Sequence, residues 1–186
     1  MRRYNTGSAV VGNKAYFGPY TQENVGVFDT DTNAFSTIGA SGLLSGGNSQ
    51  MYAGAAAVGS KVVFAPYNYN VVLVLDTTDN SFSTVATVSG GGSRLYMGAT
   101  ALGTKVYMAP VTATHVGIFD VETNTFDTIA LVGDAAGGDY RYSDATAVGR
   151  GFHSFTFQLN LSRLCRLTHT TYPTRSAQVK PKSEGV

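Results

Sequence analysis

Short apolar runs of four to six residues alternate along most of this chain with small, polar and glycine-rich segments. One unit contains Lys-Val-Val-Phe-Ala from Lys61 and Val-Val-Leu-Val-Leu from Val71. Such runs are too short for buried helices and are rich in β-branched and aromatic residues, so they predict strands. In that unit four strands are expected, at about 53–58, 61–66, 71–76 and 81–87. The pattern is then repeated. Gly54-Ala-Ala-Ala-Val-Gly-Ser-Lys and Gly98-Ala-Thr-Ala-Leu-Gly-Thr-Lys are two copies of one phrase, an earlier copy starts at Gly7, and another opens before Gly149.

The landmarks keep their order. Gly12, Gly59, Gly103 and Gly149 are spaced by 47, 44 and 46 residues, and Asp29, Asp76 and Asp120 follow at 47 and 44. Pro19, Pro66 and Pro110 do the same. Gly12-Asn13, Gly59-Ser60 and Gly103-Thr104 read as two-residue hairpin loops, because a Gly in first place supplies the positive φ of a type II′ turn. The segments Asp29 to Phe35, Asp76 to Phe82 and Asp120 to Phe126 read as the next turns. Asp and Thr bond nearby backbone there, and Asn tolerates a left-handed conformation. Four antiparallel strands in about 46 residues are the dimensions of a β-propeller blade, which must stack on neighbours to bury its apolar faces.

The units resemble the kelch type of propeller repeat. Phe28-Asp29, Leu75-Asp76 and Phe119-Asp120 stand where that repeat has Tyr-Asp, and Phe35, Phe82 and Phe126 stand for its Trp. The diglycine of the family is replaced by Gly18-Pro19, Ala65-Pro66 and Ala109-Pro110, and the chain has no Trp. The resemblance covers about residues 4–149 and implies an all-β fold: about three four-stranded blades (4–39, 52–88 and 96–132) plus a partial fourth, not a closed propeller. Propellers close with four to eight blades. The chain is therefore expected to be a fragment, to be completed by another chain, or to tolerate openness.

Residues 150–186 break the pattern. Residues 1–149 hold seven basic and eleven acidic residues, whereas 150–186 hold six basic and one acidic. Phe155, Phe157, Leu159 and Leu161 alternate, so one strand is expected within 150–168, with 169–186 disordered. A shifted reading frame and a genuine basic extension are both open readings of this tail.

With 43% hydrophobic and 13% charged residues and a net charge of +1, the composition excludes disorder over most of the length and gives no global argument for nucleic acid. The single cysteine, Cys165, forbids an internal disulfide. No apolar run approaches a membrane span and no leader is visible, so a cytoplasmic placement is the default expectation. Asp29-Thr-Asp-Thr-Asn resembles the start of a calcium loop, but Ala34 and Ala40 occupy the positions that need Gly and Glu, so a turn is expected and no metal. His115, His153 and His169 form no catalytic pattern. No cofactor is expected either.

Blade geometry places the inter-unit loops and the loops between second and third strands on one face. Tyr52, Tyr96 and Tyr142 recur in register and are expected to pack between blades. Tyr20, Tyr67 and Tyr69, with Arg94, His115 and Arg141, are the candidates for a ligand face. The expected function is a non-catalytic scaffold that binds a protein or small ligand there, with self-association through open blade edges as a further expectation. The alternatives are a piece of a propeller enzyme, such as a carbohydrate oxidase or glycan-processing enzyme, with its catalytic residues elsewhere, or a truncated product without independent function.

Overall fold

A computed structural model describes residues 7–40, 42–44, 50–87, 93–131, 142, 144–148 and 152–154. Blade 1 comprises β1 (Ser8–Val11), β2 (Lys14–Phe17), β3 (Asn24–Asp29) and β4 (Ala34–Gly39). Blade 2 comprises β5 (Tyr52–Val58), β6 (Lys61–Pro66), β7 (Val71–Asp76) and β8 (Ser81–Ala86). Blade 3 comprises β9 (Tyr96–Leu102), β10 (Lys105–Pro110), β11 (His115–Asp120) and β12 (Thr125–Ala130). Each is an antiparallel meander whose strands lie in chain order. A two-stranded sheet follows, β13 (Thr146–Val148) with β14 (Phe152–Ser154), so the strand expected in the tail begins earlier than the Phe155–Leu161 alternation suggests. The sheets do not close into a barrel. The disorder expected for 169–186 lies outside the described residues, as does Cys165.

The turns are built as the residue types require. Gly12, Gly59 and Gly103 have φ of 59°, 58° and 60°, and each opens a two-residue hairpin loop. Asn33, Asn80 and Asn124 adopt φ of 55°, 60° and 55° and close the loops between third and fourth strands. In each of those loops the leading aspartate accepts backbone hydrogen bonds: Asp29 from Asp31 and Thr32, Asp76 from Thr78, Asp120 from Glu122 and Thr123. The second strand adds a lysine directly opposite. Lys61 reaches Asp76 at 3.0 Å, Lys14 reaches Asp29 at 4.0 Å, and Lys105 is paired with Asp120. Thr30 and Thr77 then donate through both backbone N–H and hydroxyl to the carbonyls of Asn13 and Ser60. The same latch thus fastens the hairpin end of all three blades.

Cross-strand register assigns every strand residue to one of two faces. One face of each blade, here the leading face, is turned to the preceding blade, and the trailing face to the next. Ala9, Tyr16, Val25 and Val27 from the trailing face of blade 1 share a core with Val62, Phe64, Leu73 and Leu75 from the leading face of blade 2. Those four leading-face residues are 0% exposed. The seam between blades 2 and 3 repeats the arrangement, with Val63, Val72 and Val74 set against Val106, Met108 and Phe119. Each fully buried side chain of this size contributes about 1.5–3 kcal/mol. The core of the molecule is therefore its seams, and a single unit by itself would leave these apolar faces in water.

The first strands converge. β1, β5, β9 and β13 touch in succession, whereas the outer strands β8 and β12 touch far less, so the blades fan out from the first strands. At the point of convergence stand Gly7, Gly54 and Gly98, with φ of 89°, 136° and 80°. A Cβ on Gly7 would lie 2.7 Å from the Cα of Gly54, and one on Gly54 would lie 2.8 Å from the N, Cα and C atoms of Gly98. A Cβ on Gly98 would lie 2.6 Å from the Cα of Asp144, the equivalent residue of the fourth unit. Only glycine permits this backbone-to-backbone approach together with positive φ.

Replacing Gly54 by Ala combines overpacking with backbone strain and is expected to cost on the order of 3 kcal/mol in urea unfolding. Gly59→Ala, at positive φ but with open space around its Cβ, is expected to cost only about 1 kcal/mol. Equal losses at the two sites would disprove the close-approach argument. The latch aspartates give a second expectation. Backbone and side-chain hydrogen bonds, from Thr32 at Asp29, Thr78 at Asp76 and Lys105 at Asp120, hold these carboxyls below the usual range. Their contribution is present above the ordinary carboxylate pKa of about 4 and is lost as pH falls through the lowered folded values. Melting temperature is expected to drop on acidification below that point, and less steeply in Asp76→Asn; an identical acid limb in the variant would remove Asp76 from this account.

Candidate functional site

The loops at the end of the blades opposite the latches carry the candidate site. A relay of backbone hydrogen bonds ties them together. Met51 N–H donates to the carbonyl of Tyr20 across the first seam at 2.8 Å, and Tyr67 N–H donates to the carbonyl of Met51 at 2.8 Å. Leu95 N–H then donates to the carbonyl of Tyr67 across the second seam at 2.7 Å, and Val111 N–H donates to the carbonyl of Leu95 at 2.8 Å. Two residues beside the relay are left-handed, Gln50 at φ 67° and Arg94 at φ 63°. They are repeat equivalents, and both lie where the chain turns into the first strand of a blade. The strain at Arg94 is held by polar contacts: its N–H donates to Asn68 Oδ1 at 2.9 Å, and its carbonyl accepts from the Thr112 N–H and hydroxyl at 3.1 Å each.

The aromatic candidates divide by burial. Tyr52, Tyr96 and Tyr142 are buried between blades, as their regular spacing predicts. Tyr20 and Tyr67 are also buried, at 8% and 5% exposure, in a small cluster with Ala53 and Val111 that runs beneath the relay. They are the supports of the loop face rather than its exposed surface. Tyr69 is half-buried, with its ring 5.7 Å from that of Tyr52. The Tyr52 hydroxyl is enclosed and has no hydrogen-bond partner among the described residues; burial, with Tyr69 close by, pushes its ionisation far above the phenol range.

Of the polar candidates, Arg94 is exposed on the face. His115, at the start of β11, is half-buried, and its Nδ1 is 2.8 Å from the Thr114 hydroxyl. Arg141 lies outside the described residues. Among the described residues, Glu23, Asn70, Ser93 and Thr114 are further exposed polar groups of the loops. The strand order places the candidates Tyr69, Arg94 and His115 in loops at the same end of the blades, where Tyr20 and Tyr67 are packed in a buried cluster. Sequence reasoning misses Asn68, which bridges blades 2 and 3. Its only signal is its place between two tyrosines in a loop. Among the described residues no three His, Cys, Asp or Glu side chains gather as metal ligands, and no helix is long and apolar enough to cross a membrane.

Comparison with known proteins bears on the fold. No family model and no curated protein matches the chain. Solved structures do. Streptogramin B lyase superposes with a TM-score of 0.60 at 11% identity, over 77% of this chain and 44% of that one. Kuenenia stuttgartiensis hydrazine synthase gives 0.57 at 13%, over 77% and 38%. The WD40 repeats of RRP9 give 0.51 at 13%, over 67% and 36%. The fold is a partial, open, propeller-like stack of blades. The same fold is seen in the WD40 repeats of RRP9 and is not specific to kelch. The chain spans less than half the length of these structures.

The supporting role of the buried tyrosines has a measurable consequence. Tyr67→Ala is expected to lower stability by roughly 3 kcal/mol, the cost of emptying a buried aromatic site, and Tyr69→Ala by about 1 kcal/mol. Chemical denaturation of both variants checks this, and a harmless Tyr67→Ala would place its ring outside the packed layer.

Proposed function

We propose that this chain is a kelch-like, non-catalytic scaffold that binds a peptide segment of a partner protein through the loop face around Tyr69, Arg94 and His115. The observation that carries this reading is the backbone relay from Tyr20 to Val111. It fixes the loops of three blades against one another, so the face is pre-organised and loses little entropy on binding. The exposed groups suit a polar peptide. Arg94 brings a planar guanidinium fork to the face, Asn70 carries both donor and acceptor, and the half-buried Tyr69 ring combines an apolar body with a polar tip. The opposite end of each blade is closed by its own Lys–Asp latch, in which the Asp29, Asp76 and Asp120 carboxylates are committed to the hairpins.

Selection from a random peptide display library on the folded chain tests the proposal. Selected peptides are expected to bind at micromolar affinity and to lose at least tenfold in Arg94→Ala or Tyr69→Ala. They are expected to bind Lys14→Ala, altered at the latch end, as tightly as the parent. Peptides indifferent to the loop-face variants but weakened by Lys14→Ala would refute the assignment.

A further inference from the structure

We infer that Gln50 and Arg94 set the specificity of the loop face, and that the segment they read is an extended acidic peptide. The inference rests on the peptide-binding role proposed above and names two of its determinants. Its starting point is conformational. Among the described residues, positive φ occurs at seven glycines and at five other positions. Three of those five are Asn33, Asn80 and Asn124, and the Asn side chain tolerates the left-handed region. The remaining two are Gln50 at φ 67° and Arg94 at φ 63°. Neither residue type has that tolerance, and glycine adopts the same conformation at no steric cost.

The backbone imposes the conformation at both places, where the chain passes from one blade to the next. Met51 donates its N–H to Tyr20 of the preceding blade, whereas the Gln50 carbonyl accepts from Asn68 of its own blade. Leu95 and Arg94 repeat this with Tyr67 and Thr112. The peptide unit after each left-handed residue thus bridges two blades, and it does so with main-chain atoms that glycine would supply equally. A long polar side chain is kept against strain at two repeat-equivalent positions, which marks them as functional rather than architectural. The backbone is the same at both, and only the side chain differs. Arg94 is exposed and Gln50 half-buried. A guanidinium pairs with a carboxylate through two parallel donors, and a primary amide pairs with a peptide group through one donor and one acceptor. One unit apart, these two chemistries suit an extended segment that carries an acidic residue.

Gln50→Gly and Arg94→Gly in the full chain test the inference, with melting temperature and affinity for the display-selected peptides as readouts. Both variants are expected to melt roughly 2–4 °C above the parent, because the strain is relieved. Both are expected to bind the peptides at least about tenfold more weakly. The peptides are expected to share an acidic residue, whose replacement by the corresponding amide weakens binding to the parent by a similar factor. Asn124→Gly, at the latch end, is expected to leave affinity unchanged. A lower melting temperature in either loop variant overturns the inference, because that side chain then serves the fold. Peptides that bind both variants as tightly as the parent also overturn it, and the loop face itself stands if Tyr69→Ala still weakens them. Peptides with no acidic residue in common overturn the acidic class. Failure to select any peptide on the parent sinks the peptide-binding reading, and this inference with it.

Discussion

The blades can stack only because backbone meets backbone where they converge. Gly7, Gly54, Gly98 and the Cα of Asp144 form a column with no room for an intervening side chain. That contact sets the distance between first strands, and the distance decides how deeply each seam can close. With the first strands this close, the small residues of β1, β5 and β9 suffice near the convergence, while Val, Leu, Met and Phe fill the widening gap beyond. Glycine at the inner end and large apolar residues further out are therefore two parts of one geometric solution.

The seams then distribute stability unevenly. Blade 2 is covered on both faces and holds most of the fully buried residues, including Val62, Val63, Phe64, Leu73 and Leu75. Blades 1 and 3 each have a face with less cover among the described residues, and Val10, Phe35 and Ile129 mark those faces. Cooperativity in such a stack comes from nearest-neighbour interfaces, so the central blade is the unit on which the other two depend. The latches contribute differently. They act within one blade, near solvent, and fix the register of β2, β3 and β4 rather than holding blades together.

Much of this fold is legible in the residues because the signal is written three times. Gly12 and its equivalents, and Asn33 and its equivalents, occupy positions where positive φ restricts the choice of residue, so the turns are read directly. The Lys–Asp latch is harder to see. Lys14 and Asp29 are distant in sequence, and only the pairing of β2 with β3 brings them opposite each other. The glycine column is invisible for a related reason. Gly54 opens a repeat unit in the sequence, but its neighbour is Gly98, one full unit away. At the candidate site the regular tyrosines are read correctly as packing residues, whereas Tyr20 and Tyr67 look irregular and turn out to be buried. A signal exists in their register. Tyr20, Tyr67 and Val111 are repeat equivalents, and the third is apolar, which marks the position as interior.

The relay that crosses the loop face uses only main-chain groups. The order Tyr20, Met51, Tyr67, Leu95, Val111 is therefore a mechanical part whose construction does not depend on side-chain identity. Residues projecting from the loops can be exchanged while the plate beneath them keeps its shape. A force applied to the loops of blade 1 reaches blade 3 through four short main-chain hydrogen bonds rather than through side chains. The face behaves as one stiff board with replaceable pegs, and its specificity can drift without any change in its architecture.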